Sequence, residues 1–240
     1  MITDHRSPTR RGVLAGVLAG AGLAAVAPLV PRDAVAATLP PAMQLPFEVR
    51  RGDSPIGSHR LTFTRDGDRT TVEIAIDMEV KFTFVPVYRY VHRNTEVWQG
   101  DRLVSLDTRT DDNGDSFTVS ARRTAEGIEV EGAEGRVLAP ADILPTSYWR
   151  GDTINQTRLL DTQRGVIRQV AFSRAGREQV VAAGTMVPAA RWRMTGDLTA
   201  DVWYSDLGQW VKLAFEVRGA SIAYTLAPGS AGRDTLARNG

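Results

Sequence analysis

The chain has 240 residues, a formal net charge of +1, 42% hydrophobic residues and no cysteine. The near-neutral charge provides no basic field for nucleic acid, so we expect no nucleic-acid partner. The absence of cysteine excludes disulfides, thiolate nucleophiles, Cys-ligated zinc and iron–sulfur clusters. Because the chain has only three histidines and no recognisable cofactor motif, we predict no metal site and no cofactor.

The first 36 residues have the features of a twin-arginine signal peptide. Arg10 and Arg11 precede an uncharged run rich in alanine and glycine. The small residues Ala34-Val35-Ala36 then form a cleavage pattern, which places the cut before Ala37. An uncleaved anchor is the alternative, because the run approaches the ~20 residues that a membrane span needs. The pattern predicts export by the twin-arginine translocase and a periplasmic or secreted location.

The rest of the chain divides into three parts. Residues 37–46 contain three prolines and are predicted to form an extended tether. Residues 47–227 alternate apolar and polar side chains between turns rich in Gly, Asp and Asn, which is typical of antiparallel β-structure. Within this domain, residues 139–163 break the rhythm and could form a short helix or a lid. Residues 228–240 are predicted to be a flexible tail.

The clearest predicted strand runs from Thr71 to Val85. Its even-numbered positions are apolar and its odd-numbered positions are mostly charged or polar, which indicates one buried and one solvated face. We therefore expect Phe82 and Phe84 to lie in the core. A strand of this length would reach about 50 Å, and such strands usually curl around a barrel. The predicted fold is all-β, a single antiparallel meander of about 10–12 strands curled into a barrel or half-barrel.

The candidate functional residues lie after Pro86, at the even-numbered positions that continue the apolar face of the preceding strand. They are Tyr88, Tyr90, His92, Asn94, Glu96 and Trp98. One interpretation is that this row lines a cavity, where aromatic rings and a few polar groups bind a ligand. The other is that a bulge at Pro86 swaps the two faces and leaves the tyrosines outside.

No catalytic residue is predicted. His92 and Glu96 are four strand residues apart, or ~13 Å, which is too far for a hydrogen-bonded acid–base pair. The ligand-binding candidates are therefore the side chains of Tyr88, Tyr90, His92, Glu96 and Trp98.

Several motifs together resemble a group of exported bacterial all-β proteins of unknown function. They are Ile56-Gly57-x-His59, Tyr90-x-His92-x-x-x-Glu96-x-Trp98, the turn Asp112-Asn113-Gly114, Pro145 with Trp149, and Trp203-Tyr204. The group is similar in plan to the LolA-like half-barrels, the outer-membrane lipoprotein carriers that hold acyl chains on a concave face. This resemblance implies a fold and carries no catalytic residues.

Three functions are compatible with these observations. The first is non-catalytic binding or carriage of an apolar or amphipathic ligand, with a lipid or similar small molecule as partner. The second is an enzyme of unrecognised type that uses His92 and Glu96, and the third is an envelope scaffold. The lining of the interior distinguishes them, because a carrier needs an apolar cavity and an enzyme needs an accessible cleft.

We expect Arg10→Lys combined with Arg11→Lys to leave full-length precursor in the cytoplasm, because the translocase recognises the arginine pair. Cell fractionation and immunoblotting measure this, and N-terminal sequencing of the exported form should find Ala37 within about two residues. Export of the double variant at the normal rate would contradict the assignment of the pathway.

Overall fold

The structure, a computed structural model, describes residues 42–217 and 219–229. Its strands are β1 (Ala42–Arg51), β2 (Ser54–Asp66), β3 (Arg69–Phe82), β4 (Val85–Gln99), β5 (Arg102–Asp112), β6 (Asp115–Arg123), β7 (Ile128–Gly132), β8 (Gly135–Ala139), β9 (Leu144–Pro145), β10 (Arg158–Leu160), β11 (Ile167–Ala182), β12 (Thr185–Gly196), β13 (Ala200–Ser205), β14 (Trp210–Val217) and β15 (Ala220–Leu226). A short 3-10 helix spans Gly151–Asn155. No helix among these residues has the length and hydropathy needed to span a membrane. The predicted signal peptide, residues 1–36, lies outside the described residues.

All fifteen strands belong to one sheet in which neighbours in sequence are mostly neighbours in space. The order is β8-β7-β6-β5-β4-β3-β2-β1-β15-β14-β13-β12-β11-β10-β9, so only the β1–β15 pair joins strands distant in sequence. Every pair is antiparallel except the short β9–β10 pair. The prediction of a single all-β antiparallel meander is confirmed, with fifteen strands among the described residues where about 10–12 were expected, and the sheet is curved but not closed.

Curvature brings distant strands together across the concave side. Tyr224 on β15 reaches Met78 on β3, although β1 and β2 lie between them in the sheet. Near the two ends of the sheet, the amide of Ala133 donates a hydrogen bond to the carbonyl of Arg164. This approach requires Gly132, where an added Cβ would lie 2.3 Å from the Arg164 carbonyl oxygen.

The core covers the concave face of the sheet. One row of paired residues crosses β2 to β6 and is at most 1% exposed at every position; its members are Phe63, Val72, Glu96, Leu106 and Ala121. The outer face of the same strands carries charged residues, as the alternating sequence indicates. Four of the five residues are apolar, so the carboxyl group of Glu96 is the exception in the row.

The segment from Pro140 to Gln163 enters the core rather than covering one end as a lid. It contains β9, the 3-10 helix and β10, and Ile143, Leu144, Leu159 and Leu160 are at most 5% exposed. We call residues 140–163 the crossing segment. Because the sheet leaves its concave face open, these side chains supply the apolar surface that the core needs.

Two local predictions are wrong. Residues 42–46, expected to belong to the tether, form the first half of β1 and pair with β2, with Met43 and Leu45 buried. Phe82 and Phe84, expected in the core, are 75% and 88% exposed. The alternating pattern continues to the tip of the β3–β4 hairpin, but neither neighbouring strand extends far enough to cover that tip.

Candidate functional site

The row of candidate residues on β4 faces the concave side. Tyr88 pairs with Val80, Tyr90 with Met78 and His92 with Ile76. These β3 residues belong to its core-facing side, so the two tyrosines and the histidine face the core as well. The register shift lies between Val80 and Lys81, closer to the tip than Tyr88. The face swap that would leave the tyrosines outside is therefore wrong, since the irregularity reorients only the tip of the hairpin.

Glu96 and Trp98 belong to a sealed hydrogen-bond network. The Glu96 carboxylate accepts from Asn94 Nδ2, Trp98 Nε1 and Trp149 Nε1, each at 3.0 Å. The Ser147 hydroxyl is a further partner of the same carboxylate. Glu96 is 0% exposed and Trp98 is 1% exposed, so neither side chain faces open space. We call this arrangement the Glu96 network.

An unusual backbone turn in the crossing segment places Trp149 next to Glu96. Tyr148 has a φ of +58°, in the left-handed region that bulky residues rarely adopt. Its carbonyl accepts a hydrogen bond from the Tyr204 hydroxyl at 2.8 Å, which fixes the turn to β13. A conformation of this kind costs of order 1–3 kcal/mol and persists only where surrounding contacts determine it.

Arg150 covers the Glu96 network on its outer side. Its guanidinium lies 5.0 Å from the centre of the Trp98 ring and 5.7 Å from that of Trp149. It also donates to both carboxylate oxygens of Asp152 and to Asp101. The indole rings thus lie between the buried Glu96 carboxyl group and the paired Arg150 guanidinium.

Burial raises the pKa of Glu96 above its ordinary value, while donation from Trp149, Ser147, Trp98 and Asn94 opposes that rise. The two indole N–H groups can only donate, so they require an oxygen that accepts. A fully enclosed carboxylate of this kind holds the interior together and has no access to a substrate. The arrangement therefore does not support an acid–base role for Glu96.

Tyr88 and Tyr90 belong to a second polar group nearer the hairpin tip. The Tyr88 hydroxyl donates to Asp112 Oδ1 at 2.7 Å, and Gln163 Nε2 donates to Asp112 Oδ2 at 3.1 Å. The Tyr90 hydroxyl donates to Gln163 Oε1 at 3.2 Å. These bonds connect β4 and β5 to the end of the crossing segment. Both tyrosines remain half-buried.

His92 joins the tyrosine row to a set of rings contributed by other strands. Its ring stacks on Tyr90 at a centroid distance of 6.3 Å, and Nδ1 lies 2.7 Å from the Thr110 hydroxyl. His59, in the same cross-strand row, lies 5.6 Å from the Tyr224 ring, and Tyr224 contacts Phe215 at 6.1 Å. We define the aromatic–histidine cluster as His59, Met78, Tyr90, His92, Phe215 and Tyr224.

Both histidines of the cluster are held in their neutral form. Burial, reinforced by His92, lowers the pKa of His59 to about 3. Burial also lowers the pKa of His92 to about 4. Neither nitrogen of the His59 ring has a hydrogen-bond partner among the described residues, which is unusual for a buried polar group.

The cluster leaves some of its apolar side chains partly uncovered on the concave side. Met78, Tyr90 and Phe215 are half-buried, whereas the inward-facing residues of the Glu96 network row are sealed. Two surface grooves of about 490 and 640 Å³ lie elsewhere, along β4 to β8. Exposed charged side chains line much of both grooves, and neither includes any of the five sequence-predicted residues.

The structure divides the five candidate residues into two groups. Tyr88, Tyr90 and His92 lie at the partly uncovered end, while Glu96 and Trp98 are enclosed in the Glu96 network. Sequence reasoning missed His59, Met78, Phe215, Tyr224 and Trp149 as partners. The alternation His59, Leu61, Phe63 in β2 could have placed His59 on the inner face. The sequence between residues 96 and 149 contains no signal for the Glu96–Trp149 contact.

Among the described residues, no group of three or more His, Asp or Glu side chains is arranged to hold a metal ion.

A family model for a domain of unknown function, DUF6134, matches residues 47–227, which include most of the sheet and the whole crossing segment. The chain belongs to the DUF6134 family. The match begins in β1 and ends just after β15, so this DUF6134 domain includes both the Glu96 network and the aromatic–histidine cluster. Among curated proteins, no sequence matches the chain.

The sheet is similar to a solved structure from Brucella abortus, described as a beta-barrel-like protein of domain of unknown function DUF1849. The two share 12% sequence identity with a TM-score of 0.51, over 78% of this chain and 96% of that one. At this identity the likeness shows the fold alone. This DUF6134 domain therefore has a barrel-like fold.

The buried histidines should make stability fall as the pH is lowered. Because their folded-state pKa values lie below the ordinary 6.5, the unfolded chain takes up protons first. We expect the free energy of unfolding, measured by urea titration, to decrease from about pH 6.5 towards pH 4. His59→Leu should reduce that slope by up to about 1.4 kcal/mol per pH unit.

The control for this measurement is Arg60→Leu, at an exposed position on the outer face of the same strand. It should leave the slope unchanged. Equal slopes for wild type and His59→Leu would mean that His59 is not held neutral in the folded state.

Proposed function

We propose that this chain is an exported, non-catalytic binding or carrier protein for an apolar or amphipathic small molecule. The ligand lies against the aromatic–histidine cluster on the concave side of the sheet. The observation that carries the proposal is the half-buried apolar surface of Met78, Tyr90 and Phe215, which lies against the buried rings of His59 and Tyr224. Apolar surface left uncovered beside a few polar groups is the usual composition of a ligand site.

The residues around the cluster favour a ligand with a neutral polar end. Both histidines are uncharged at neutral pH because burial lowers the pKa of each. The half-buried Tyr90 carries a hydroxyl that donates to Gln163 and can still accept a hydrogen bond from a hydroxyl or amide group. None of the six members of the cluster is a lysine or arginine that could balance an acidic head group. The ligand would thus combine an apolar body with an uncharged hydrogen-bonding end.

The Glu96 network supports this function indirectly. It fixes the crossing segment inside the sheet and so closes one part of the concave side while the cluster stays partly uncovered. Tyr90 belongs to the cluster and Tyr88 lies beside it on β4, and their bonds to Asp112 and Gln163 fix the positions of their rings. Rings held in this way present a preformed surface, which lowers the entropic cost of binding.

The cellular context of the proposal comes from the amino terminus. The paired Arg10 and Arg11 and the site before Ala37 favour export through the twin-arginine translocase, which would place the domain in the periplasm or outside the cell. An aqueous compartment beside a membrane is where a carrier of amphipathic molecules would act.

Titration of intrinsic tryptophan fluorescence tests the proposal, with monoolein as the neutral probe and oleate as the charged one. Trp210 is the expected reporter, because its ring lies 5.4 Å from that of His59. Wild type should show a saturable change, with tighter binding of monoolein than of oleate. Met78→Arg should weaken binding about ten-fold or more, because it places an unpaired charge in the apolar site.

Glu73→Arg is the matched control, since it adds the same charge on the exposed face of the same strand. It should bind the probes like wild type. No saturable response of wild type to either probe, or equal binding by wild type and Met78→Arg, would contradict the proposed site.

A further inference from the structure

The β3–β4 hairpin extends beyond the strands on both sides of it. Met78 is the last residue of β3 that pairs with β2, through Gly57, and Tyr90 is the first residue of β4 that pairs with β5, through Asp112. Past these positions the two strands pair with each other up to Phe82 and Val85. Four or five residues at about 3.3 Å each carry the tip roughly 15 Å beyond the neighbouring strands.

The tip of this hairpin exposes large apolar side chains. Phe82 is 75% exposed, Phe84 88%, Val85 64% and Val87 54%. Every other Phe, Tyr and Trp among the described residues is buried or half-buried. Contiguous apolar surface of this kind marks a site of interaction with a membrane or another molecule.

The turn itself departs from what stability alone would select. Thr83 has a φ of +60°, a conformation that β-branched residues rarely adopt and that glycine adopts without cost. The chain thus keeps a strained, non-glycine turn between two exposed phenylalanines. Strain of this kind is found where function maintains it.

The charged residues of the hairpin lie at the base of its apolar tip. From Val80 to Tyr88 the one charged residue is Lys81, and Arg89 follows directly. Lys81 is itself more than half exposed and pairs with Glu79, which lies further from the tip. Behind the apolar end lie two cations, Lys81 and Arg89, and one anion, Glu79, which is opposite Arg89 in the register. The net positive charge fits a bilayer with anionic lipids, where apolar groups enter the acyl boundary and the cations stay among the phosphates.

We propose that the tip of the β3–β4 hairpin, Lys81 to Arg89, inserts into the interface of an anionic phospholipid bilayer. The inference rests on this hairpin alone and is independent of the ligand proposed above. Phe82, Phe84, Val85 and Val87 supply the apolar contact, and Lys81 and Arg89 supply attraction to the lipid phosphates. The domain would thereby dock on a membrane with one end of its sheet.

A fluorophore at the tip tests this directly. Because the chain has no cysteine, Phe84→Cys creates a single labelling site for an environment-sensitive nitrobenzoxadiazole dye. The matched control is Met186→Cys, at the tip of the β11–β12 hairpin, where the native side chain is 60% exposed. The experiment uses the protein as purified from the expressing cell, without truncation. Both variants should keep the wild-type melting temperature because both positions are exposed.

With vesicles of phosphatidylethanolamine and phosphatidylglycerol at 7:3, the dye at position 84 should brighten and shift to the blue, and the dye at position 186 should not. Vesicles of phosphatidylcholine alone should give a much weaker response. In the labelled Phe84→Cys background, Lys81→Gln and Arg89→Gln should each weaken the partition coefficient by about five-fold. Phe82→Ser should weaken it by about ten-fold or more.

Three results would overturn the proposal. One is no response at position 84 to any vesicle. Another is an equal response at positions 84 and 186, which would mean non-specific adsorption. The third is a response at position 84 without vesicles that grows with protein concentration, which would mean that a second copy of the chain covers the tip.

Discussion

The interior of this domain depends on one buried carboxylate. Glu96 lies in a row of fully buried apolar residues, and an unpaired charge there would be prohibitively unfavourable. Donors from Asn94, Trp98, Trp149 and Ser147 satisfy it, and two of these come from the crossing segment. The carboxylate therefore ties the crossing segment to the sheet, since Ser147 and Trp149 supply two of its four donors.

Fixing the crossing segment determines what the concave side of the sheet can do. Where Glu96, Trp98 and the leucines of β9 and β10 lie, the interior is sealed. Where the segment ends at Gln163, the sheet still has an inner face, and there the aromatic–histidine cluster stays partly uncovered. The same curved sheet thus has a sealed part, which gives stability, and a partly uncovered part, which remains available to a ligand. This division is the basis of the function we propose.

Alternation along β3 and β4 was enough to predict the fold class, because a period of two is a local property of a strand. It left the direction of the tyrosine–histidine row open, because a bulge at Pro86 could have reversed the two faces. It was not enough for Phe82 and Phe84, since burial depends on how far neighbouring strands extend, and β2 and β5 end too early to cover them. The Glu96–Trp149 contact joins positions 53 residues apart. The sequence showed only that Glu96 lies at an even-numbered position, on the same face as the apolar residues. It did not show which groups donate hydrogen bonds to its carboxyl group. The contact between Met78 on β3 and Tyr224 on β15 was equally hidden, because it depends on the curvature of the sheet.

The most direct test of this account is a double-mutant cycle on the Glu96–Trp149 pair, with the free energy of unfolding measured in urea for wild type, Glu96→Gln, Trp149→Phe and the double variant. If the carboxylate anchors the crossing segment through the indole, the two losses should be non-additive, with a coupling energy of about 1–3 kcal/mol. Hydrogen exchange of residues 143–160 should accelerate in each single variant. Losses that add to within about 0.5 kcal/mol, with unchanged exchange in the crossing segment, would contradict the account.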